Sequence, residues 1–363
     1  MLLVVTLVAT STALLVYGMV DTTSAALRRD RDTAASLAQA KQALIGRAVA
    51  DGTRPGSLPC PDIDDDGSAE STVAYGGVCP NYIGRLPWRT LGLPDPRDAS
   101  GERLWYALFP AFRDHSSAGM LDVDTKGGLT VYQDSAATVL TAQAVAVIFA
   151  PGPLVAGQIR DSASTNNPAN YLDATDGVNN AIAGGPFIGA QTSSTFNDKL
   201  LVITTADVMP PLERRVAREM LALLQSYRSL SACACYPWAS NDFDDDSVSG
   251  RNRGMVPIEF PLPETWGSLG LTVPAWMIGT NEWGKRFYYA VAPDETEDKT
   301  GGTLTIDGAA RNLVLITTGP ADASRPSTNL SDYVDDVVNR DGDNTFQTPS
   351  STAYARDRLY TIP

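Results

Sequence analysis

Three aspartates alternate between Asp62 and Asp66 and are followed at once by Gly67, which is how the calcium loop of an EF-hand begins. Glu70 occupies the ninth position of such a loop, but the twelfth, where a bidentate glutamate is required, is Val73. Oxygen ligands of this kind suit calcium rather than soft metals. Two interpretations stay open: a calcium loop of another type, or a solvated acidic turn. The candidate ligands are Asp62, Asp64, Asp66 and Glu70.

Two later stretches of the chain contain similar acidic clusters. One begins at Asn241, and the other runs from 335 to 344. Alternating carboxylates repel one another unless a cation or solvent separates them, so each stretch predicts either a calcium site or a solvated turn. The candidate ligands in these two stretches are Asp242, Asp244, Asp246, Asp335, Asn339, Asp341 and Asp343.

The chain lacks the sequence signatures of common enzymes. It contains neither a G-x-S-x-G nucleophile elbow nor a G-x-x-x-x-G-K-[ST] phosphate loop. His115 is the single histidine and stands in a loop-like setting, which excludes a histidine-rich metal site and favours a surface residue over a catalytic base. We therefore expect no enzyme activity and no catalytic residue. The absence of a C-x-x-C-H motif also excludes c-type haem.

Length and charge narrow the function further. The 363 residues suit two domains of roughly 150 residues each. A hydrophobic content of 43% is enough to build their cores. Lysine and arginine together number 28 and acidic residues 42, so the net charge is 28 − 42 = −14. This balance argues against nucleic acid as the primary ligand, because binding to phosphates needs a basic surface.

The first fifty residues predict one long helix. Residues 1–20 carry no charge and fifteen of them are apolar, which is enough for a helix to span the hydrocarbon layer of a membrane. The pattern then becomes amphipathic and contains no proline before Pro55, so we expect the helix to continue to about Asp51, just before Gly52. The plainest interpretation of this segment is a membrane anchor with a stalk.

A helix that is apolar first and amphipathic later, followed by a globular region, resembles a mature type IV pilin or a type II secretion pseudopilin. Residues 40–48 with 58–62, and residues 84–93, are similar to segments of prepilin-like proteins. Residues 281–289 resemble the D-P-W-G-x-x-Y-x-Y signature of pseudopilin heads. Two departures are visible: Val5 stands where the family usually has a glutamate, and the proline that kinks the apolar helix is absent.

The resemblance implies a structural role. The chain would be a subunit of an extracellular type IV pilus-like filament or a periplasmic pseudopilus, and residues 1–20 would hold it in the bacterial inner membrane before assembly. The resemblance also implies a homo-oligomeric helical fibre, a prepilin peptidase, an assembly machinery and calcium near 335–344. Apolar helices that pack against each other would drive assembly. The residues expected in that packing are Met1, Leu2, Leu3, Val4, Val5, Leu7, Val8, Leu14, Leu15 and Val16.

Two alternative functions stay open at this point. The missing glutamate at position 5 is shared with the large minor pseudopilin, which favours a subunit that caps the tip of a secretion or pilus filament. A protein of another class, a monomeric membrane-anchored calcium-binding or adhesive protein, would carry the same acidic loops.

Seven short segments recur in the same order in the two halves of the chain. Residues 60–62 correspond to 235–237, for example, and 198–200 correspond to 357–359. Such repetition predicts an α+β fold in which a long N-terminal helix carries two tandem pilin-type heads, each a helix on a small, mainly antiparallel sheet. The expected domains are the helix 1–51, a first head 37–208 and a second head 209–363, whose helix covers 212–230. Strands are expected at 129–132, 144–149, 200–204, 303–306, 313–317 and 359–362.

Four cysteines in a chain whose heads would lie outside the cytoplasm can form disulfides. The simplest pairing joins Cys60 to Cys79, which bracket the first acidic loop, and Cys233 to Cys235. The second bridge would close a tight, strained ring. Their spacing lacks two C-x-x-C pairs, which argues against a zinc ribbon.

Overall fold

The computed structural model describes residues 2–115, 118–135, 138–161, 165–240, 248–257, 266–274, 276–277, 287–319, 334, 337–349 and 357–362, with side chains of the first helix from residue 24 onward. Contacts divide the chain into two compact units. Unit 1 consists of Met1–Leu44, Pro59–Pro110 and Gly127–Ile203. Unit 2 consists of Ile45–Leu58, Ala111–Lys126 and Thr204–Pro363.

The first helix, α1 (Leu2–Ala50), contains no proline and many alanines, which favour helix. From Thr33 onward it buries one stripe at helical spacing, while residues 25–32 are exposed. The buried members of the stripe are Thr33, Leu37, Ala40, Leu44, Ile45 and Ala48. The helix ends where Asp51 Oδ1 accepts hydrogen bonds from the backbone N–H groups of Thr53 (2.8 Å) and Arg54 (2.7 Å).

Arg54 holds the segment that follows α1 in unit 2. Its guanidinium is 1% exposed and donates to four backbone carbonyl groups of the loop 111–119. Burial lowers the pKa of Arg54 to about 10, with the charge of Arg113 as a smaller cause. The four acceptors are Ala111 O (2.9 Å), Arg113 O (2.6 Å), Ala118 O (3.1 Å) and Gly119 O (2.6 Å).

Unit 1 is built on a six-stranded sheet with the order β1-β2-β4-β3-β7, in which β8 also pairs with β4. The pairs β1–β2, β2–β4 and β3–β4 are antiparallel, whereas β3–β7 is parallel. A separate hairpin joins β5 to β6. The strands are β1 (Ile83–Arg85), β2 (Trp105–Leu108), β3 (Leu129–Tyr132), β4 (Val139–Ala150), β5 (Ala174–Thr175), β6 (Val178–Asn179), β7 (Phe187–Ile188) and β8 (Lys199–Thr204).

Both faces of the central strands are buried, since Tyr106 and Ile148 are 0% exposed, and the main hydrophobic cluster of unit 1 forms on the face opposite to these two residues. Trp105, Phe149 and Phe187 are each fully buried there, and the rings of Phe149 and Phe187 meet edge to face with centroids 5.1 Å apart. Short 3₁₀ turns at Thr72–Tyr75, Pro110–Phe112, Pro168–Asn170 and Pro293–Glu295 connect elements of the chain.

The second helix, α2 (Thr205–Leu230), begins seven residues before the predicted Leu212. The carboxylate of Asp207 accepts hydrogen bonds from the backbone N–H of Thr204 (2.8 Å) and from its hydroxyl (2.9 Å), which starts the helix upstream of Pro210 and Pro211. Its buried face packs on two strands of unit 2, Leu313–Thr317 and Arg358–Ile362. Glu213 on that face pairs with Arg358, and burial raises the pKa of Glu213 to about 7.

Unit 2 has a four-stranded antiparallel sheet with the order β15-β13-β10-β9. A second, three-stranded sheet has the order β12-β11-β14. Asp307 and Gly308, both with positive φ (52° and 79°), form the two-residue turn between β11 and β12. The elements are β9 (Arg253–Met255), β10 (Tyr288–Val291), β11 (Leu304–Ile306), β12 (Ala309–Arg311), β13 (Leu313–Thr317), α3 (Val337–Arg340), β14 (Thr345–Phe346) and β15 (Arg358–Ile362).

The fold class expected from the sequence, a long N-terminal helix with two tandem pilin-type heads, is wrong. The described residues form a mixed α+β fold with three α-helices and several sheets, and only 24–50 of the first helix have described side chains. The two units interleave along the chain instead of following each other. The sheets of the two units also differ. In unit 2 the Asp-Gly turn pairs β11 with β12 in a separate sheet, whereas in unit 1 β3 joins the main sheet through β4.

The expected transmembrane helix is corrected as well. Where the side chains of helices are described, we find none that combines the length and the apolar character needed to cross a bilayer. The predicted span 1–20, together with all the assembly residues between Met1 and Val16, lies outside the described side chains.

Candidate calcium loop and buried carboxylates

The first acidic loop is fastened to unit 1 at both ends. Cys60 and Cys79 form a disulfide across it, as the sequence predicts. Asp62 exchanges two backbone hydrogen bonds with Arg85 of β1, at 3.0 and 2.7 Å. The Arg85 side chain is buried between the rings of Trp105 (4.3 Å) and Tyr171 (4.0 Å), so the loop rests on a rigid support.

Asp62 organises the loop through its own carboxylate. Oδ1 accepts hydrogen bonds from the backbone N–H groups of Asp64 (3.1 Å) and Asp65 (2.7 Å), and Oδ2 accepts one from Gly67 (2.7 Å). The side chain is only 1% exposed. Burial raises the pKa of Asp62 to about 6, although these three hydrogen bonds favour its charged form.

Gly67 is required where the loop turns back. Its φ is +87°, and a Cβ at this position would lie 2.5 Å from the indole ring of Trp88. The backbone therefore passes closer to the tryptophan than any other residue permits. The D-x-D-x-D-G spacing in the sequence indicated this turn correctly.

The loop brings three of its four predicted ligands together. One carboxylate oxygen from each of Asp62, Asp64 and Glu70 lies within 4.8 Å of the others. Asp66 is turned away and accepts a hydrogen bond from the backbone N–H of Ser68 (2.6 Å), which holds its pKa below its ordinary value. Asp65, which lies between Asp64 and Asp66, forms an ion pair with Arg103, in which Oδ1 and Nη1 are 2.7 Å apart. The remaining three oxygens form a site that suits a hard cation such as calcium.

The other acidic clusters differ from this one. Asp242, Asp244, Asp246 and Asp335 lie outside the described residues. Asp341 and Asp343 are exposed, and their carboxylates accept hydrogen bonds from the backbone N–H groups of Asp343 (3.1 Å) and Thr345 (2.6 Å) respectively. These two side chains therefore stabilise a turn.

Asn339, the remaining candidate ligand, holds a strand in place. Its side-chain amide donates to Gln347 O (3.0 Å) and accepts from Gln347 N (2.7 Å). Asn180 in unit 1 makes the same pair of bonds to Ile188, at 3.0 and 2.8 Å. Each asparagine thus binds the backbone of the residue eight positions further on. The two ends of the Asn339 amide are both engaged with the backbone.

A pair of buried carboxylates in unit 1 was missed by the sequence analysis. Asp198 Oδ2 accepts hydrogen bonds from the backbone N–H of Asp173 (2.8 Å) and from Asn180 Nδ2 (2.9 Å). Asp173 Oδ2 accepts one from the backbone N–H of Asn197 (2.7 Å). Burial, with the nearby charge of Asp173 as a second cause, raises the pKa of Asp198 to about 8. Asp198 is therefore a neutral acid near pH 7.

The signal for this pair was present in the repeat. Asp173 ends the segment 171–173, which recurs at 333–335, and Asp198 begins the segment that recurs at 357–359. Asp357, which corresponds to Asp198, is also buried at 3% exposure. A charged residue that recurs beside a predicted strand indicates a buried structural role. The second predicted disulfide, between Cys233 and Cys235, also forms.

No protein-family model, curated protein or solved structure matches the chain. These comparisons identify no pilin family and give no support to the description of the chain as pilin-like.

Proposed function

We propose that this chain is a structural subunit of an extracellular helical filament, assembled in the manner of a pilus through packing of its apolar N-terminal residues. One observation carries the proposal. Helix α1 buries a stripe of side chains from Thr33 to Ala48, but its residues 25–32 are exposed. Residues 24–32 contain no buried side chain, although Asp30 pairs with Lys199 of unit 1, and fifteen apolar residues among 1–20 follow toward the N-terminus.

So many apolar side chains are unfavourable in water and must be buried against another apolar surface. Each buried side chain of the Leu or Val type contributes about 1.5 to 3 kcal/mol when it is removed from water. Equivalent helices of neighbouring copies can bury these side chains by packing side by side. A prepilin peptidase and a dedicated assembly machinery are the partners that this mode of assembly would require, and the fibre would lie at the cell surface or in the periplasm.

The test replaces two apolar side chains by charges. The L14D/L15D double variant of the full chain should form no fibres in negative-stain electron micrographs, because two carboxylates cannot be buried between helices without a large cost. The matched control is Leu27→Asp, because Leu27 is an exposed side chain of the same helix at 65%. Fibres of normal length from the double variant, with the head still folded by near-ultraviolet circular dichroism, would contradict the proposal.

A tip-capping subunit is the alternative that Val5 favours. Immunogold labelling of native fibres separates the two functions. Label along the whole fibre supports the major structural subunit, whereas label at one end only supports the tip subunit. A preparation that contains only monomers supports the calcium-binding or adhesive protein instead.

A further inference from the structure

The segment immediately after α2 contains two cysteines separated by a single residue. Ser231 caps the helix, and Cys233 and Cys235 form a disulfide with their Cα atoms 5.2 Å apart. We propose that this disulfide is a thiol-exchange site, opened by attack of a small thiol or a protein dithiol on the sulfur of Cys233. The inference is independent of the proposed filament function.

The backbone inside the ring favours opening. Ala234 has a φ of +51°, a left-handed conformation that is unfavourable for a residue with a Cβ. Two constraints hold Ala234 in this conformation. One is the disulfide, and the other is a turn in which the backbone N–H of Ala234 donates to Ser231 O (3.1 Å). Cleavage of the S–S bond removes one of these two constraints and lets Ala234 relax. Strained or exposed disulfides are the ones that exchange readily.

Exposure selects which sulfur is attacked. Cys233 is half-buried between Ala232 and Ala234, which are both exposed. Cys235 is 2% exposed, and its backbone N–H and carbonyl both bind the hydroxyl of Ser231, at 3.3 and 3.1 Å. An incoming thiolate therefore reaches Cys233 first, and Cys235 is the leaving group.

The reaction balances as a two-electron exchange. A thiolate attacks Cys233 Sγ, the bond between the two cysteine sulfurs breaks, and Cys235 leaves as a thiolate that takes up a proton. The product is a mixed disulfide on Cys233. The second thiol of a dithiol, or a second molecule of a small thiol, then attacks the reagent's sulfur in that mixed disulfide, which releases Cys233 as a thiolate that takes up a proton and leaves the reagent as a disulfide.

The chain supplies its own control in the Cys60–Cys79 disulfide. These cysteines are 19 residues apart and 1% and 4% exposed. The full chain is incubated with increasing dithiothreitol, alkylated with N-ethylmaleimide and analysed by peptide mass spectrometry. We expect Cys233 and Cys235 to be half-alkylated at a roughly tenfold lower dithiothreitol concentration than Cys60 and Cys79. Equal concentrations for the two pairs, or the reverse order, would overturn the proposal.

Two further measurements test the stated causes. Brief incubation with reduced glutathione should leave the adduct on Cys233, and an adduct on Cys235 alone would contradict the order of attack. Ala234→Gly should raise the dithiothreitol concentration for half-reduction severalfold, because glycine adopts a positive φ freely. Ala232→Gly, the same substitution outside the ring, should leave it unchanged. If the two glycine variants behave alike, backbone strain at Ala234 is not the cause and the proposal fails.

Discussion

The four acidic side chains predicted as ligands in the first loop have different roles, as Asp62 and Asp66 show. Asp62 is buried and binds three backbone N–H groups, whereas Asp66 is exposed and binds Ser68. The buried carboxylate therefore fixes the loop, and Asp64 and Glu70 are the members beside it that remain to contact a cation. The spacing of the aspartates predicts the loop, but which of them converge depends on the supports at Arg85 and Arg103.

Calcium should raise the thermal midpoint of the protein, because a ligand that binds only the native state stabilises it by about 2.7 kcal/mol at one hundred times its Kd. Asp64→Asn should abolish this effect. Asp66→Asn is the matched control, since Asp66 faces away from the other ligands, and it should keep the calcium response. The measurement is differential scanning fluorimetry with calcium and with a chelator. If midpoints are indifferent to both, the loop is a solvated turn.

Asp198 makes stability depend on pH. Its folded-state pKa is raised to about 8 by burial, above the ordinary value of 3.8. An acid with a raised pKa favours the folded state when it is protonated. Its contribution is therefore fully present below about pH 4 and is lost as pH rises through 8, at a rate of at most about 1.4 kcal/mol per pH unit. Asp62 acts in the same direction over a narrower range.

We accordingly expect the urea midpoint of unfolding to be higher at pH 5 than at pH 8. Asp198→Asn should reduce that difference, because an amide does not titrate. Asp343→Asn, a change of the same kind at an exposed position, should leave it intact. If the urea midpoint of the unaltered protein is instead higher at pH 8 than at pH 5, other titrating groups outweigh Asp198 and the prediction is wrong.

At the scale of elements, the sequence predicts strands well where β-branched residues run together. The predicted 129–132 and 313–317 coincide with β3 and β13, because Val, Ile and Thr fit a pleated, buried surface. The predicted start of α2 at Leu212 is seven residues too late, because the Thr204–Asp207 capping interaction starts the helix upstream of its two prolines. The hairpin of β11 and β12 was missed although its Asp-Gly turn is visible in the sequence, whereas the pairing of Thr305 with the distant Thr345 leaves no local pattern.

Two glycines test how much these elements depend on backbone conformation. Gly46 lies in the interior of α1 and Gly308 in the turn after β11, and a Cβ at either position would have no heavy atom within 4 Å. Gly46→Ala should stabilise the protein by up to about 1 kcal/mol, because alanine favours helix. Gly308→Ala should destabilise it by about 1 kcal/mol, because its φ is +79°. Chemical denaturation measures both, and equal effects of the same sign would refute this explanation.

At the scale of the whole molecule, a net charge of −14 opposes the packing of identical copies. Raising ionic strength from about 10 mM to 150 mM shortens the screening length from about 30 Å to 8 Å. The sedimented mass of the proposed filament should therefore increase with sodium chloride. Sucrose at the same osmolality is the control and should have much less effect. More fibre at low salt would mean that attractive charge pairs dominate the contacts between copies.

The interleaved segments of unit 2 also set an order of events during synthesis. Residues 45–58 and 111–126 emerge from the ribosome long before Thr204–Pro363, which complete the unit. At 5 to 20 residues per second the synthesis of residues 127–363 lasts on the order of 10 to 50 s. All four bonds of Arg54 join these two early segments, so they can form while the rest is still being translated. A single buried guanidinium thus holds Gly56 in place before α2 is made, and Gly56 is where Leu121 and Leu212 come so close that an added Cβ would lie 3.4 Å from the first and 3.0 Å from the second.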